Sequence, residues 1–186
     1  RRRVARRLMK RSVSWLSGNH LTVRALEIAS ASRPEVVGEL VQTLRDFSDG
    51  HALMEELQEG RVPTLDDWIE HTDTHTGALF AFCCRIGALQ PGRNGDPVQR
   101  AHVEALARYG RRLGRVWHIA EDLHLFSGCF EQEVVARALA GRPMLPVALA
   151  AERSPAVGRL WGQLVEHPSV ASADWLSTMV AEAGGL

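Results

Sequence analysis

The chain has 186 residues, 45% hydrophobic and 24% charged, with 22 basic side chains against 22 acidic ones. That balance fits one globular domain able to bury a core. No apolar run nears the ~20 residues of a membrane helix, and three cysteines (Cys83, Cys84, Cys129) without CxxC spacing argue against a disulfide framework or a zinc site and for a reducing, cytoplasmic setting.

The chain opens on a basic arm, residues 1–11, which holds seven of the 22 basic residues and leaves the remainder net acidic. The arm has no interleaved aromatics, so it reads as a solvated face, not a nucleic-acid binder. It precedes no long apolar segment, so it is no secretory signal, and without an initiator Met the natural N-terminus is expected upstream. Val13, Leu16, Leu21, Leu26 and Ile28 mark a first helical region, with a kink or tight contact expected at Ser17-Gly18-Asn19. Pro34 marks the start of a second helix, whose apolar face carries Val37, Leu40, Val41, Leu44, Phe47 and Leu57.

After a turn at residues 60–63, Thr64 and Asp67 form a capping-box-like start to a helix over residues 65–89. A turn-rich QPGRNGDP stretch separates it from a long helix over residues 98–126. Short helices follow over residues 131–140, 146–152, 156–166 and 172–183, and no alternating pattern suggests a sheet. The expected architecture is one all-α domain, residues 1–186, of antiparallel helices. Gly77, Gly110 and Gly114 fall inside helices, where each costs about 1 kcal/mol relative to Ala. Close helix–helix approach is the expected reason.

Two constellations carry chemistry. His71 and His75 are four apart, so both rings share one helix face; without the HExxH pattern of a zincin they read first as a polar stripe. The second lies in RRLGRVWHIAEDLHLFSG, residues 111–128, where His118 stands one turn before Asp122 and Glu121 one turn before His124. Glu121-x-x-His124 is half of a ferritin-like di-iron signature. No second ExxH accompanies it, so ordinary helical pair contacts compete evenly with a bound cation.

Taken in chain order, several segments resemble the trans-isoprenyl diphosphate synthases of the polyprenyl synthetase family. Ser17-Gly18-Asn19-His20-Leu21 ahead of Arg24-Ala25-Leu26 is similar to that family's GD-x-L segment. Asp49-Gly50-His51 takes the place of a Gly-Gln pair. Trp68 followed by His75-Thr76-Gly77-Ala78-Leu79-Phe80 resembles a Tyr followed by KT-x-x-LF, with His for Lys. Residues 83–89, CCRIGAL, resemble a small-residue helix end. Tyr109-Gly110, Leu113-Gly114, Trp117-His118 and Glu121-Asp122 resemble YG-x-x-LG-x-x-FQ-x-x-DD-x-x-D. Residues 141–146, GRPMLP, resemble GK-x-T-LP.

The resemblance implies an isoprenoid-synthase helical bundle, lacking its N-terminal helices, and Mg²⁺-dependent condensation of isopentenyl diphosphate with an allylic diphosphate. It implies diphosphate binding by His75, Thr76, His118 and Arg142, and metal binding by Glu121 and Asp122. It also implies a homodimer, or a heterodimer with an active synthase. The departures imply weakened chemistry. The first aspartate-rich motif is expected upstream of Arg1. Leu125 replaces the third aspartate of the second motif, Glu121 replaces the first, and His75 replaces a lysine. The expected function is that of a diverged synthase whose Mg²⁺ site is weak or lost, and whose catalysis is impaired or depends on a missing segment or a partner. The alternative is a catalytically silent partner subunit or helical binding module.

Overall fold

A computed structural model describes residues 2–89, 99–128 and 130–186, with side chains from residue 16 onward. The side chains of the basic arm, the turn expected at residues 90–97 and Cys129 lie outside the described residues. The described residues are helical, without a strand, as the sequence pattern implies.

The chain divides into two compact units, residues 1–42 and 43–186. The first holds α1 (Arg2–Ser30) and the opening turns of α2 (Pro34–Gln58). Pro34 takes the first helical position, where a missing N–H costs nothing. The kink or tight contact expected at Gly18 is not there: α1 runs unbroken, and a Cβ on Gly18 would meet nothing within 4 Å. One glycine withdraws only about 1 kcal/mol from a helix, too little to break a 29-residue segment.

The second unit contains the rest of α2, then α3 (Leu65–Thr72), a π-helical turn (Asp73–Gly77), α4 (Ala78–Ala88) and α5 (Arg100–Ser127). It ends with α6 (Glu131–Leu139), α7 (Leu145–Arg153), α8 (Pro155–Glu166) and α9 (Val170–Glu182). The Thr64–Asp67 capping box forms as expected, the Thr64 hydroxyl accepting from Asp67 N at 3.2 Å and Asp67 accepting from Thr64 N at 2.7 Å. Arg61 adds a bidentate contact to Asp67 at 2.7 and 2.8 Å. Burial opposes ionisation of Asp67, but Arg61 and Thr64 outweigh it and hold the carboxyl down at about 2.

Residues 65–89 form three pieces in place of one α-helix, because the π turn interrupts the α ladder. Beyond it, α4 lies antiparallel against α5, with Gly77 opposite Gly114, Phe80 opposite Gly110 and Arg85 paired to Glu104 at 2.8 Å. A Cβ on Gly110 would stand 2.5 Å from the Phe80 carbonyl oxygen, and one on Gly114 would stand 2.7 Å from Gly77 Cα. The close approach read from the three glycines is therefore present.

The apolar core lies at the C-terminal end of α5 and among α6 to α9. Leu125 and Phe126 enter it from α5, and Val134, Val147, Val157, Trp161, Leu164, Leu176 and Val180 come from the short helices. Full burial of such a side chain contributes about 1.5–3 kcal/mol. Trp161 is wholly enclosed, and its indole N–H donates to the Arg61 carbonyl at 3.0 Å. This fixes the loop ahead of α3 to the core.

Candidate functional site

The π turn is where α3 and α5 exchange polar contacts. Arg115 on α5 clasps the Asp73 carboxylate through two hydrogen bonds of 2.7 Å, and Arg111 donates to the Asp73 carbonyl at 3.2 Å. The Thr74 hydroxyl donates back to the Glu70 carbonyl at 2.7 Å. These contacts satisfy groups that a wide turn loosens, and π turns recur at functional sites. The turn brings Thr76 Oγ1 to 2.7 Å from His118 Nε2.

Four of the eight histidines gather here. The His75 ring lies 4.4 Å from His71 and 5.2 Å from His51, and His71 lies 5.8 Å from His118. His51 Nδ1 donates to the Phe47 carbonyl at 2.7 Å. Gly50 makes room for the cluster, since a Cβ there would stand 2.8 Å from the His75 ring. His71 Nδ1 is buried with no hydrogen-bond partner among the described residues.

Burial, aided by neighbouring positive charge, favours the neutral form of His71, His75 and His118. Burial pushes His71 down to about 3, with His75, His118, Arg142 and His51 adding to the shift. Burial, then the charge of His51, pushes His75 down to about 4. His118 is also lowered by burial, against the opposing pull of Asp122 and Glu121. At neutral pH His71, His75 and His118 therefore offer N–H donors and lone pairs, and the fixed positive charges acting on them come from Arg142 and, at His118, from Arg137 as well.

The two expected metal carboxylates face different ways. Glu121 is 3.9 Å from His118 Nδ1 with a side chain 40% exposed, and it lines a cavity of about 330 Å³ together with His124, Leu125, Phe130, Glu133 and Arg137. An adjoining cavity of about 230 Å³ shares Glu133 and Arg137 and reaches Arg142. Asp122 is 1% exposed and turned inward. Its Oδ2 accepts from the Trp68 indole and from Leu145 N, each at 2.9 Å, and its Oδ1 accepts from Arg137 at 3.1 Å. Burial pushes the Asp122 carboxyl above its ordinary value, while Leu145, Trp68 and Arg137 pull the other way. Leu125, at the third position of the motif, belongs to the apolar core.

The structure thus brings His75, Thr76 and His118 together, with Arg142 close enough to act on all three histidines of that side electrostatically. Sequence reasoning quoted His51, Trp68 and Leu145 only as motif positions and gave them no role at the site, and it did not name Arg137. His51 could have been found as one more histidine beside a helix glycine. Arg137 and the Leu145 amide carry no local signal, since they approach Asp122 only through the fold.

The description of polyprenyl synthetases matches residues 1–158. Among curated relatives, a geranylfarnesyl diphosphate synthase of Natronomonas pharaonis is 30% identical over 114 residues, 58% of this chain and 32% of that protein. A decaprenyl-diphosphate synthase of Dictyostelium discoideum is 25% identical over 149 residues, 78% of this chain and 31% of that protein. A dimethylallyltranstransferase of Mycobacterium tuberculosis is 24% identical over 113 residues, 61% of this chain and 33% of that protein. The chain therefore spans about a third of the length of these relatives. No solved structure matches at a significant level.

Proposed function

The chain belongs to the polyprenyl synthetase family, and on that premise we propose that it binds an isoprenyl diphosphate while condensing substrates poorly on its own. The Thr76–His118 contact beside His75 carries the binding half of this reading. His75, together with the one donor hydrogen that the Thr76–His118 bond leaves free, presents neutral donors to phosphate oxygens, and Arg142 supplies charge from the loop ahead of α7. Neutral donors orient an anion but stabilise it less than a lysine would.

The inward turn of Asp122 supports the other half. When bound, Mg²⁺ in this family's reaction would stabilise a departing diphosphate. A hard cation seeks several oxygen ligands, and here Glu121 is the half-exposed carboxylate, Asp122 is committed to protein donors and Leu125 is apolar. No three His, Cys, Asp or Glu side chains among the described residues converge on one ion-sized point. The residues present do not fit a Mg²⁺ cage, and we read metal binding as weak or lost.

A second observation favours partnership. Leu106, Tyr109, Leu113, Val116 and Leu123 recur along α5 at near-helical spacing, and each is 38–60% exposed. Such a stripe suits a helix from a second copy or from an active synthase. No helix among the described residues is long and apolar enough to cross a membrane, and Cys83 and Cys84 are free thiols, which suits the cytoplasm.

Incubation of the purified chain with Mg²⁺, an allylic diphosphate and isopentenyl diphosphate tests the reading. The expected outcome is substrate binding with little product, and product formation on addition of an active synthase to which the chain binds. Rapid condensation by the chain alone, abolished in Glu121→Ala, would overturn it. Light scattering reports whether the chain self-associates.

A further inference from the structure

We propose that Asp122 is a positioning residue, the common anchor that sets His75, His118 and Arg142 against one diphosphate, and not a cation ligand. The proposal rests on the diphosphate-binding reading above. Its basis is where the three donors to Asp122 come from. Trp68 belongs to α3, which leads through the π turn to His75 and Thr76. Leu145 N opens α7, three residues after Arg142. Arg137 belongs to α6 and lines both cavities, one beside Glu121 and one beside Arg142. Asp122 itself lies one turn beyond His118 on α5. Every segment that carries a proposed diphosphate contact is therefore tied, within one hydrogen bond, to this carboxylate.

The same geometry removes Asp122 from cation duty. A carboxylate has about four acceptor directions, and three are taken by protein donors in a residue that is 1% exposed. The one direction left, on Oδ1, is buried beside the Arg137 guanidinium, so a cation there would meet a like charge, and any other entry would displace Arg137, Trp68 or the amide of Leu145. That amide is an otherwise orphaned donor at the start of α7, so its loss is opposed. The negative charge at that helix start is also favourable.

The test uses the whole chain and inorganic diphosphate, in buffer with Mg²⁺ or with EDTA. Asp122→Asn keeps the oxygen that faces Trp68 and Leu145 but turns an amide NH₂ toward the Arg137 guanidinium. It is expected to weaken diphosphate binding about tenfold in both buffers, as loss of an orienting partner does. The ring-proton resonances of His75 and His118 are expected to move with it. A loss of affinity seen only with Mg²⁺ overturns the proposal in favour of a cation ligand. A lower melting temperature with affinity and ring resonances unmoved overturns it in favour of plain packing. If Asp122→Asn does not fold, Trp68→Phe and Arg137→Gln each remove one donor, and the same two readouts decide. If the unaltered chain binds no inorganic diphosphate in either buffer, the functional reading fails, while the ring resonances still decide the anchor.

Discussion

The two halves of α5 face different kinds of neighbour. Its C-terminal end sends Leu125 and Phe126 into a cluster of aliphatic side chains and Trp161. Its middle meets α3 and the π turn through Gly114, Arg115 and His118, among rings held neutral by burial and one imidazole nitrogen with no partner among the described residues. The first region gains stability from removing apolar surface from water. The second holds polar groups in place at a cost, and such groups persist where something other than stability retains them.

Mutations and pH should separate the two regions. The largest effect is expected from Trp161→Ala, which empties an enclosed site and strips a donor from the Arg61 carbonyl. It should cost about 3–5 kcal/mol in urea denaturation, while the ring resonances of His75 and His118 stay in place if the halves are independent. Acid acts on the other half. His71 titrates near 3 when folded and near 6.5 in a model peptide, so the unfolded chain binds more protons between those values. Stability is then full above about pH 6.5 and falls as the pH drops toward 3, by on the order of 4 kcal/mol from this buried ring. His71→Phe should flatten that slope in denaturation curves recorded across the range. An unchanged slope would show that the ring is solvated.

Gly110→Ala tests the seam between α4 and α5. The Phe80 backbone would have to move, and about 1–3 kcal/mol should be lost, together with the Thr76–His118 contact if the shift reaches the π turn. The smallest effect is expected from Thr64→Ala, worth about 1 kcal/mol of capping. It should leave diphosphate binding as it was, since the cap is braced separately by Arg61 and Trp161.

The helical scaffold was largely legible in the sequence. Helix starts at Pro34 and Thr64, the glycine seam and the short C-terminal helices all follow from local rules of capping, spacing and sterics. Gly18 shows their limit, since a glycine inside a helix marks close approach only when another backbone arrives there. The site half was legible in composition but not in direction. Glu121 and Asp122 are adjacent, so helical geometry turns them about 100° apart. Which of the two meets solvent is decided by Trp68, Arg137 and the start of α7, up to 54 residues away in sequence. Periodicity cannot report contacts of that range.

The π turn at Asp73–Gly77 also bears on how this segment could be edited. A turn that closes over five residues in place of four holds one residue more than the helix around it needs. Removing one of Asp73, Thr74 or His75 would let the ladder close as continuous α-helix from Leu65 to Ala88. The backbone would lose no hydrogen bonding, and because five residues of a π turn rotate the chain about as far as four of an α-helix, the faces of α3 and α4 would stay in phase. Gly77 would still face Gly114 and Thr76 would still face His118. A shortened variant is therefore expected to keep its helical content in circular dichroism and its seam with α5, and to lose the polar contacts that the wide turn makes at Asp73 and Thr74.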